Sequence, residues 1–340
     1  MTPEETRVLV TGAGGFIGHH LVTFLKECGY WVRGADLKRP EFSATDADEF
    51  RILDLRRWDR CLEATEGIDE VYSLAADMGG MGFISSNHAQ ILHNNLLIST
   101  HTVEAARENG AKRLFFSSSA CVYPEYRQTD ADVTPLKEED AYPAQPQDAY
   151  GWEKLVTERL CGHYREDTDL ETRVARFHNI YGPLGTWEGG REKAPAALCR
   201  KVAYAKLTGD PEVEIWGDGE QTRSFCHVQD CVDGIHRLMR SDHGEPLNIG
   251  QDRMVTINEL VDIIAHAAGI EVERKHVPGP QGVRGRNSDN SRLAEVLGWT
   301  PQISLEEGIA RTYAWIERQV ADRLADEDEP GKAAERAGAA

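Results

Sequence analysis

The sequence predicts an α/β protein with a doubly wound parallel sheet and a smaller, mixed α/β second lobe. The first observation is a β-branched run, Arg7-Val-Leu-Val-Thr11, that ends in a glycine-rich turn and leads into a helical pattern. Two similar runs follow, Trp31-Val-Arg-Gly-Ala35 and Val71-Tyr-Ser-Leu-Ala75. Strands that alternate with helical patterns form parallel sheets with helices on both faces. A length of 340 residues allows two lobes.

Composition and charge exclude several classes of function. The chain has 38 Lys and Arg against 57 Asp and Glu, a formal net charge of −19. Nucleic acids and anionic membranes require a basic surface, so we expect neither as a partner. Scattered cysteines without a Cys-x-x-Cys pair predict a reduced, cytoplasmic protein. We predict no metal, because no His, Asp or Glu cluster has ligand spacing, and no apolar run predicts a membrane span.

The glycine-rich turn predicts a dinucleotide site of the Rossmann type. Strand, turn and helix occur in the required order, with the pyrophosphate at the helix N-terminus. The next strand ends at Asp36, the spacing of a ribose-binding acid, and an acid there favours NAD over NADP. Asp54 is placed to contact the adenine or to cap the following helix. The predicted cofactor residues are Gly12, Gly15, Phe16, Ile17, Gly18, Asp36, Asp54, Tyr150 and Lys154.

Tyr150 and Lys154 have the spacing of a hydride-transfer pair. Four residues apart on a helix, their side chains lie on one face, one turn apart. A phenol has an ordinary pKa of ~10, and a nearby ammonium stabilises the phenolate and lowers that pKa. The same spacing also occurs on solvated helix faces, so the pair alone decides little.

The spacing Gly12-x-x-Gly15-x-x-Gly18 and the segment Ser117-Ser-Ser-Ala-Cys-Val-Tyr123 resemble the extended short-chain dehydrogenases. That resemblance implies that Ser119 is the third partner of the tyrosine–lysine pair. Cys121 is either a small buried hydrophobe or, on the same face of the strand end as Ser119, a group that faces the substrate. A thiol with a pKa near ~8.5 can exchange protons with a carbon acid.

Five longer segments resemble one group within that family, the GDP-mannose 3,5-epimerases. They are Ala75–Ile84, Arg176–Pro183, Gly185–Ala197, Trp216–Phe225 and Pro278–Asn290. The resemblance implies NAD, a GDP-sugar substrate, and inversion of GDP-mannose at C5 and C3 through a 4-keto sugar, giving GDP-L-galactose or GDP-L-gulose. It implies that Cys121 and Lys193 are the acid–base pair, and we expect a homodimer. The implied substrate contacts are Gly79, Ser119, Asn179, Glu192, Lys193, Lys201, Gln221, Arg223 and Arg286.

Several of these residues also carry a direct chemical argument. Lys193 ends a glycine-flanked loop that should close over a ligand, and a desolvated lysine near other cations can exchange protons. Arg223 and Arg286 lie in glycine-containing loops suited to a bidentate grip on a pyrophosphate. Each of the three is otherwise an ordinary surface cation. His178 follows an apolar strand and is expected to be structural.

Other functions of the same fold remain open. A nucleotide-sugar 4-epimerase or 4,6-dehydratase would use Tyr150 and Lys154 without a Cys121/Lys193 pair. An NADPH-dependent epimerase–reductase of the GDP-fucose synthase type is disfavoured by Asp36. A non-catalytic NAD-sensing module is disfavoured by the intact serine, tyrosine and lysine.

The predicted NAD-binding domain comprises residues 1–182 and about 222–250, and the predicted substrate lobe comprises about 183–221 and 251–320. Within the lobe, Ile257–Ala268 is expected to be a helix capped by Thr256 and ended by Gly269. A last helix is expected from Leu305 to Val320. Residues 321–340 are acidic and Ala-rich, which predicts a disordered tail.

Overall fold

The computed structural model describes residues 2–328. The strands are β1 (Arg7–Thr11), β2 (Trp31–Asp36), β3 (Glu49–Ile52), β4 (Glu70–Ser73), β5 (Arg113–Ser119), β6 (Glu171–Phe177), β7 (Ile180–Tyr181), β8 (Glu212–Trp216), β9 (Thr222–Ser224), β10 (Cys226–His227), β11 (Leu247–Ile249), β12 (Met254–Thr256), β13 (Glu273–Val277) and β14 (Gly285–Arg286). The helices are α1 (Phe16–Glu27), α2 (Trp58–Thr65), α3 (Met81–Ile84), α4 (His88–Glu108), α5 (Ala149–Asp167), α6 (Ala194–Thr208), α7 (Val228–Arg240), α8 (Ile257–Ala268), α9 (Ser291–Leu297) and α10 (Leu305–Asp328).

The main sheet has seven parallel strands in the order β11-β6-β5-β4-β1-β2-β3. The chain starts in the middle, winds outward to β3, then crosses back and winds to the other edge. This order is that of a doubly wound Rossmann sheet, so the predicted fold class is confirmed. In such sheets ligands bind beyond the carboxyl ends of the central strands, where the winding reverses.

Helices cover both faces of the sheet, as the alternation of side chains along β1 requires. Val8 and Val10 face a core that they share with α1 and α7. Leu9 faces the opposite core, which contains side chains of α2, α4 and α5. All three strand residues are fully buried. The two cores fix the height of each helix against the sheet and thereby the position of the loops at its carboxyl edge.

A separate core lies in the second lobe. It is formed by α6, α8 and α10 together with Val213 and Ile215 of β8. Two small sheets border it, β13-β8 and β12-β9-β14. The second of these carries Arg223 and Arg286 as register partners. The exact division of the chain into domains stays a prediction.

Helix α8 has the bounds and both caps that the sequence predicts. The Thr256 hydroxyl accepts a hydrogen bond from the Glu259 N–H at 3.0 Å, and Gly269 ends the helix in a left-handed conformation. Helix α10 is longer than predicted and continues to Asp328. The predicted tail at 321–340 is therefore wrong for residues 321–328, and the rest of it lies outside the described residues. Leu324, which packs against the second core, gives a physical reason for the extension.

Within residues 2–328, none of the helices combines the length and apolarity that crossing a membrane requires.

Candidate active site

The glycine-rich turn between β1 and α1 forms a cradle that side chains would fill. Gly12 has a φ of 72°, in the left-handed region. A Cβ on Gly18 would lie 2.1 Å from the Gly12 carbonyl oxygen, so only glycine lets α1 pack this close to the turn. Gly15 is the N-cap and supplies no side-chain bond to the first turn. The free N–H groups of that turn form an anion site at the positive end of α1.

Asp36 at the end of β2 faces this cradle. Its carboxylate accepts hydrogen bonds from the Gly14 N–H at 2.9 Å and the Lys38 N–H at 3.2 Å. Burial raises the pKa of Asp36, and the same two N–H groups oppose that rise. Beside it is an open cavity of about 400 Å³, lined in part by Gly14, Gly15, Phe16, His19, Lys38 and Phe42. The cradle, the free helix end and the carboxylate fit the pyrophosphate and ribose of a dinucleotide.

The remaining predicted cofactor residues of this lobe lie in different surroundings. Phe16 opens α1 and lines the cavity, whereas Ile17 packs against the sheet core. Asp54 forms an ion pair with Arg56 at 2.7 Å. It does not cap a helix, because α2 begins only at Trp58 with Arg57 as its N-cap. The alternative prediction of a cap at Asp54 is therefore wrong.

Helix α5 brings Tyr150 next to the turn that carries Cys121. The Asp148 side chain caps α5 by accepting the Gly151 N–H at 2.8 Å. A Cβ on Gly151 would lie 2.2 Å from the Cys121 carbonyl oxygen, so this glycine allows backbone contact between helix and turn. Tyr150 and Cys121 consequently share one small cluster with Ile91.

Tyr150 is buried, with 7% of its surface exposed. Burial raises its pKa well above the ordinary value, the charge of Glu153 adds to the rise, and the Ser119 side chain acts to lower the pKa. The Lys154 ammonium lies 3.6 Å from a Glu153 carboxylate oxygen and 5.4 Å from the Tyr150 ring centroid. The expectation that Lys154 lowers the tyrosine pKa is therefore wrong for this arrangement, because burial raises that pKa and the charge of Glu153 adds to the rise.

Cys121, Arg286 and Lys193 form a second group next to Tyr150. Cys121 lies in a 3-10 turn, Ala120–Val122, and not on β5 as the predicted strand alternation assumed. Arg286 donates a hydrogen bond to the Cys121 Sγ at 3.4 Å. Burial lowers the pKa of Lys193, the charge of Cys121 opposes this, and Arg286 adds to it. Lys193 is nonetheless exposed to solvent, which leaves its ammonium accessible to a ligand.

Arg223 and Arg286 lie side by side without a carboxylate partner within residues 2–328. Arg223 donates to the carbonyls of Thr222 at 2.7 Å and Val283 at 2.6 Å. Arg286 donates to the Gln128 side-chain oxygen at 2.6 Å. Burial, with the neighbouring guanidinium, lowers the pKa of Arg223 to about 9. Two uncompensated guanidiniums form a site for a multiply charged anion.

Gly79, Asn179 and Gln221 border this region from other elements. Gly79 lies between β4 and α3, and a Cβ there would meet the Phe83 side chain at 2.8 Å. Asn179 adopts a φ of 46° and donates to the Ser224 carbonyl at 2.8 Å. Gln221 is buried, and its side-chain oxygen has no hydrogen-bond partner within the described residues. That orphaned acceptor is a signature of a group that awaits a ligand donor.

Glu192 and Lys201 are held by protein groups. Glu192 forms an ion pair with Arg200 at 3.0 Å, and Lys201 donates to the Glu214 carbonyl at 2.7 Å. The structure therefore does not bring these two side chains into the group around Cys121. They would have to exchange partners to bind a ligand directly.

His178 is fully buried, and its Nε2 donates to the Asn248 side-chain oxygen at 3.0 Å. In the part of the chain that the structure describes, no group of three or more His, Cys, Asp or Glu side chains could hold a metal ion.

The family model that matches this chain is the NAD dependent epimerase/dehydratase family, and the match covers residues 8–250. The chain belongs to this family. Among solved structures, this epimerase/dehydratase resembles the UDP-glucose 4-epimerase of Thermotoga maritima, crystallised with UDP-glucose. The TM-score is 0.83 at 28% identity, and the match covers 93% of this chain and 100% of the other.

Curated relatives with higher sequence identity belong to a narrower group within this family. GDP-mannose 3,5-epimerase 1 of Oryza sativa subsp. japonica is 54% identical over 93% of this chain and 83% of the relative. GDP-mannose 3,5-epimerase of Arabidopsis thaliana is 53% identical, with coverages of 93% and 84%. GDP-L-fucose synthase 1 of Arabidopsis thaliana is 30% identical, with coverages of 95% and 97%. The resemblance stated from the sequence segments is confirmed.

Sequence reasoning missed several residues of this epimerase/dehydratase that support the site. Glu153 is a buried acid beside Lys154, and a charge on the inward face of α5 is a signal that could have revealed it. Gln128 orients Arg286 from a turn that has no sequence signature. Asp77 and Arg191 form an ion pair between two distant segments, which only the fold reveals.

Proposed function

We propose that this protein is an NAD-dependent epimerase of a GDP-sugar, which inverts GDP-mannose at C5 and C3 through a 4-keto intermediate. The observation that carries the proposal is the group formed by Cys121, Arg286 and Lys193 next to the Tyr150 hydroxyl. A hydride-transfer tyrosine and a separate acid–base pair are what this reaction needs at one substrate. The products would be GDP-L-galactose, GDP-L-gulose or both.

The cofactor proposed for the glycine cradle is NAD. Gly12, Gly15 and Gly18 would hold its pyrophosphate at the end of α1, and Asp36 its ribose. Asp36 would repel a 2′-phosphate, which favours NAD over NADP. When bound, NAD supplies the acceptor for the C4 hydride and returns that hydride after inversion. The family description and the 28% identical 4-epimerase fold support this assignment.

Tyr150 would take the proton of the C4 hydroxyl as C4 is oxidised. Its high pKa in this structure means that the phenol is protonated until a positive charge approaches it. Ser119, which precedes the turn that carries Cys121, would orient the same hydroxyl. The Lys154 ammonium would supply positive charge near Tyr150, and the adjacent Glu153 carboxylate would offset part of that charge.

Cys121 and Lys193 would exchange the protons at C5 and C3, which the C4 ketone acidifies. Inversion requires one group to remove a proton and another to deliver one from the opposite face. The hydrogen bond that Arg286 donates to the Cys121 Sγ holds this thiol in position beside Tyr150. The lowered pKa of Lys193 eases proton donation from its ammonium.

Arg223 and Arg286 would bind the diphosphate of the GDP-sugar. Their paired guanidiniums lack a carboxylate within residues 2–328, and a diphosphate would supply the missing negative charge. Gln221, with its unpaired buried acceptor, would receive a hydrogen bond from the nucleotide or sugar. In this arrangement the sugar extends from the diphosphate toward Cys121.

Incubation of the NAD-loaded protein with GDP-mannose in deuterated water tests the proposal. Deuterium should appear at both C3 and C5 of the recovered sugar, or at C5 alone if only a gulose-forming inversion occurs. The variants Cys121→Ser and Lys193→Ala should each reduce this exchange by roughly a hundred-fold or more, the range of a lost acid–base group.

Matched variants are Cys28→Ser, after the last residue of α1, and Lys112→Ala, just before β5 at the strand end opposite Ser119; both change the same residue types and should leave exchange unchanged. Inversion at C4 alone, or loss of water at C6, would favour the 4-epimerase or 4,6-dehydratase alternative. NAD binding without any sugar turnover would favour a sensing module. Exchange at wild-type rate in both Cys121 and Lys193 variants would refute the acid–base assignment.

We also propose a cytoplasmic homodimer. Trp152 and Val156 are exposed one turn apart on α5, at 42% and 50%. Leu92 and Leu96 are partly exposed on α4, the helix that packs against α5. Such an apolar helix pair suits a second copy of the chain. All seven cysteines are free, which suits a reducing compartment. Val156→Glu should convert a dimer to a monomer in light scattering, and an unchanged mass would contradict this interface.

A further inference from the structure

Arg191 joins the loop that carries Lys193 to a distant segment of the first lobe. We call residues 185–193 the lysine loop. Arg191 lies 3.5 Å from an Asp77 carboxylate oxygen, and its guanidinium lies 4.0 Å from the Phe83 ring centroid. It also donates to the Met78 carbonyl at 3.4 Å. Three different groups of one segment therefore contact a single side chain of the lysine loop.

The backbones of the two segments touch as well. The Gly80 N–H donates to the Arg191 carbonyl at 3.1 Å. A Cβ on Gly80 would lie 2.6 Å from the Glu192 carbonyl oxygen, so a side chain at this position would push the lysine loop away. Lys193 follows directly and is the N-cap of α6, without a side-chain capping bond of its own. Contacts at residues 191 and 192 therefore fix the backbone position from which the Lys193 side chain extends.

Asp77 is anchored on its other side by α4. Its second carboxylate oxygen accepts hydrogen bonds from Gln90 and Asn94, both at 3.0 Å. Burial alone would raise the pKa of Asp77, but these two bonds and the charge of Arg191 bring it below its ordinary value. Asp77 is thus ionised at neutral pH and attracts the guanidinium from a fixed position.

Polar contacts connect Asp77 to the hydride-transfer pair through Asn95 and Glu153. Asn95 accepts the Asp77 N–H at 2.6 Å and donates to Glu153 at 3.1 Å. Glu153 lies 3.6 Å from the Lys154 ammonium. One connected set of polar contacts thus joins the lysine loop to the residue beneath Tyr150, although the two lie in different lobes.

We propose that Arg191 is a positioning residue, whose ion pair with Asp77 docks the lysine loop and places Lys193 over the sugar. This inference rests on the proposed epimerase function and adds a residue that does not itself touch the reacting atoms. Removal of the ion pair leaves Tyr150, Lys154 and their buried contacts in place. It therefore slows proton exchange at C3 and C5 while leaving hydride transfer from C4 nearly intact.

The test compares two partial reactions in Arg191→Met, which keeps the length of the side chain and removes its charge. Loss of a partly exposed ion pair and a cation–π contact should reduce deuterium exchange at C3 and C5 by about ten-fold. Appearance of enzyme-bound reduced nicotinamide, followed by stopped-flow absorbance, should change by less than about two-fold, because, within residues 2–328, the Arg191 side chain contacts Asp77, Met78 and Phe83 rather than the hydride pair. Arg191→Lys should recover part of the exchange.

A double-mutant cycle identifies the partner. Asp77→Asn should reproduce the loss of exchange, and the double variant should be no slower than either single variant, because the lost interaction is the same. Arg57→Met is the matched control, since Arg57 forms an exposed ion pair with Asp59 on the surface.

Two results would overturn the inference. One is wild-type exchange in Arg191→Met, and the other is an equal fall in exchange and reduced nicotinamide, which would indicate a general structural role. Failure of the proposed function itself looks different, because the wild-type protein would then show no exchange at C3 or C5 before any variant is made.

Discussion

His178 is a residue that the fold keeps uncharged. Burial lowers its pKa to about 3, and the charges of Arg286 and Arg176 act in the same direction. In the unfolded chain, His178 binds a proton near its ordinary pKa of about 6.5. In the folded chain, it stays neutral at that pH. The stability that follows is complete above about pH 6.5 and is lost progressively as the pH falls from there toward 3. Between pH 7.5 and 5.5, this residue alone should lower the free energy of unfolding by about 1 kcal/mol.

His178→Gln tests this expectation by urea unfolding at both pH values. The variant removes the titrating group, so its free energy of unfolding should fall by about 1 kcal/mol less than that of the wild type over this interval. The exposed His88→Gln variant serves as the control and should follow the wild type. Equal acid sensitivity of wild type and His178→Gln would contradict the buried neutral state.

Single residues also show how far a sequence can predict a site. Tyr150 and Lys154 could be predicted because helix geometry makes an i, i+4 pair local. Cys121 packs beside Tyr150, but strand alternation does not explain this position, because the residue lies in a 3-10 turn. The pKa of Tyr150 could not be predicted, because it depends on Glu153 and on burial, which are set by tertiary packing.

At the scale of elements, α1 and its glycine turn act as one unit. Gly18→Ala would place a Cβ 2.1 Å from the Gly12 carbonyl oxygen, and backbone must move to relieve that contact. We expect α1 to shift away from the turn, so that its N-terminal N–H groups no longer converge on the pyrophosphate. Isothermal titration should show NAD affinity reduced by at least about ten-fold, because one misplaced charge-assisted contact costs about 1.5 kcal/mol or more.

Gly162→Ala, in α5, is the matched control for Gly18→Ala in α1. Gly162 lies in α5, and a Cβ there would meet no atom within 4 Å. Alanine in an exposed helix interior should stabilise the fold by about 0.5–1 kcal/mol and leave NAD binding unchanged. Unaltered affinity in Gly18→Ala would mean that the cradle does not hold the cofactor.

Helices differ in how well the sequence predicts their ends. The bounds of α8 follow from a Thr-x-x-Glu capping box and a terminal glycine, which are local signals. The end of α10 has no such signal. The acidic composition from residue 321 onward predicts disorder, although the helix continues to Asp328. Leu324 packs against the second core and supports helix beyond Val320, a contact that depends on where that core lies.

For the whole molecule, the doubly wound sheet could be predicted because strand, turn and helix alternate in sequence and parallel connections have one favoured hand. The contacts that join the two lobes could not be predicted, because they form between segments far apart in the chain. Arg223 and Arg286 become neighbours only through the pairing of β9 with β14. Likewise, the loop after β2 meets α10 through Phe42 and Trp315, whose ring centroids lie 5.1 Å apart.

That last contact borders the cavity proposed to hold NAD. Phe42 belongs to a loop whose Lys38, Pro40 and Glu41 line the cavity at the glycine turn, and its ring meets Trp315 edge-on at 79°. Because Trp315 is part of the second core, the loop is tied across the cavity. Phe42→Ala removes the tie, and an aromatic pair contributes about 0.5–1.5 kcal/mol beyond its buried area.

We therefore expect NAD to dissociate roughly three- to ten-fold faster from Phe42→Ala, measured by displacement with excess unlabelled cofactor after rapid mixing. Leu37→Ala in the same loop is the control, because Leu37 is 62% exposed and, among residues 2–328, is not one of those that pack against the second core. An unchanged dissociation rate would mean that the loop is not a barrier to release. An enzyme that returns its hydride within each turnover gains from slow release, since the cofactor must stay bound between the oxidation and the reduction of C4.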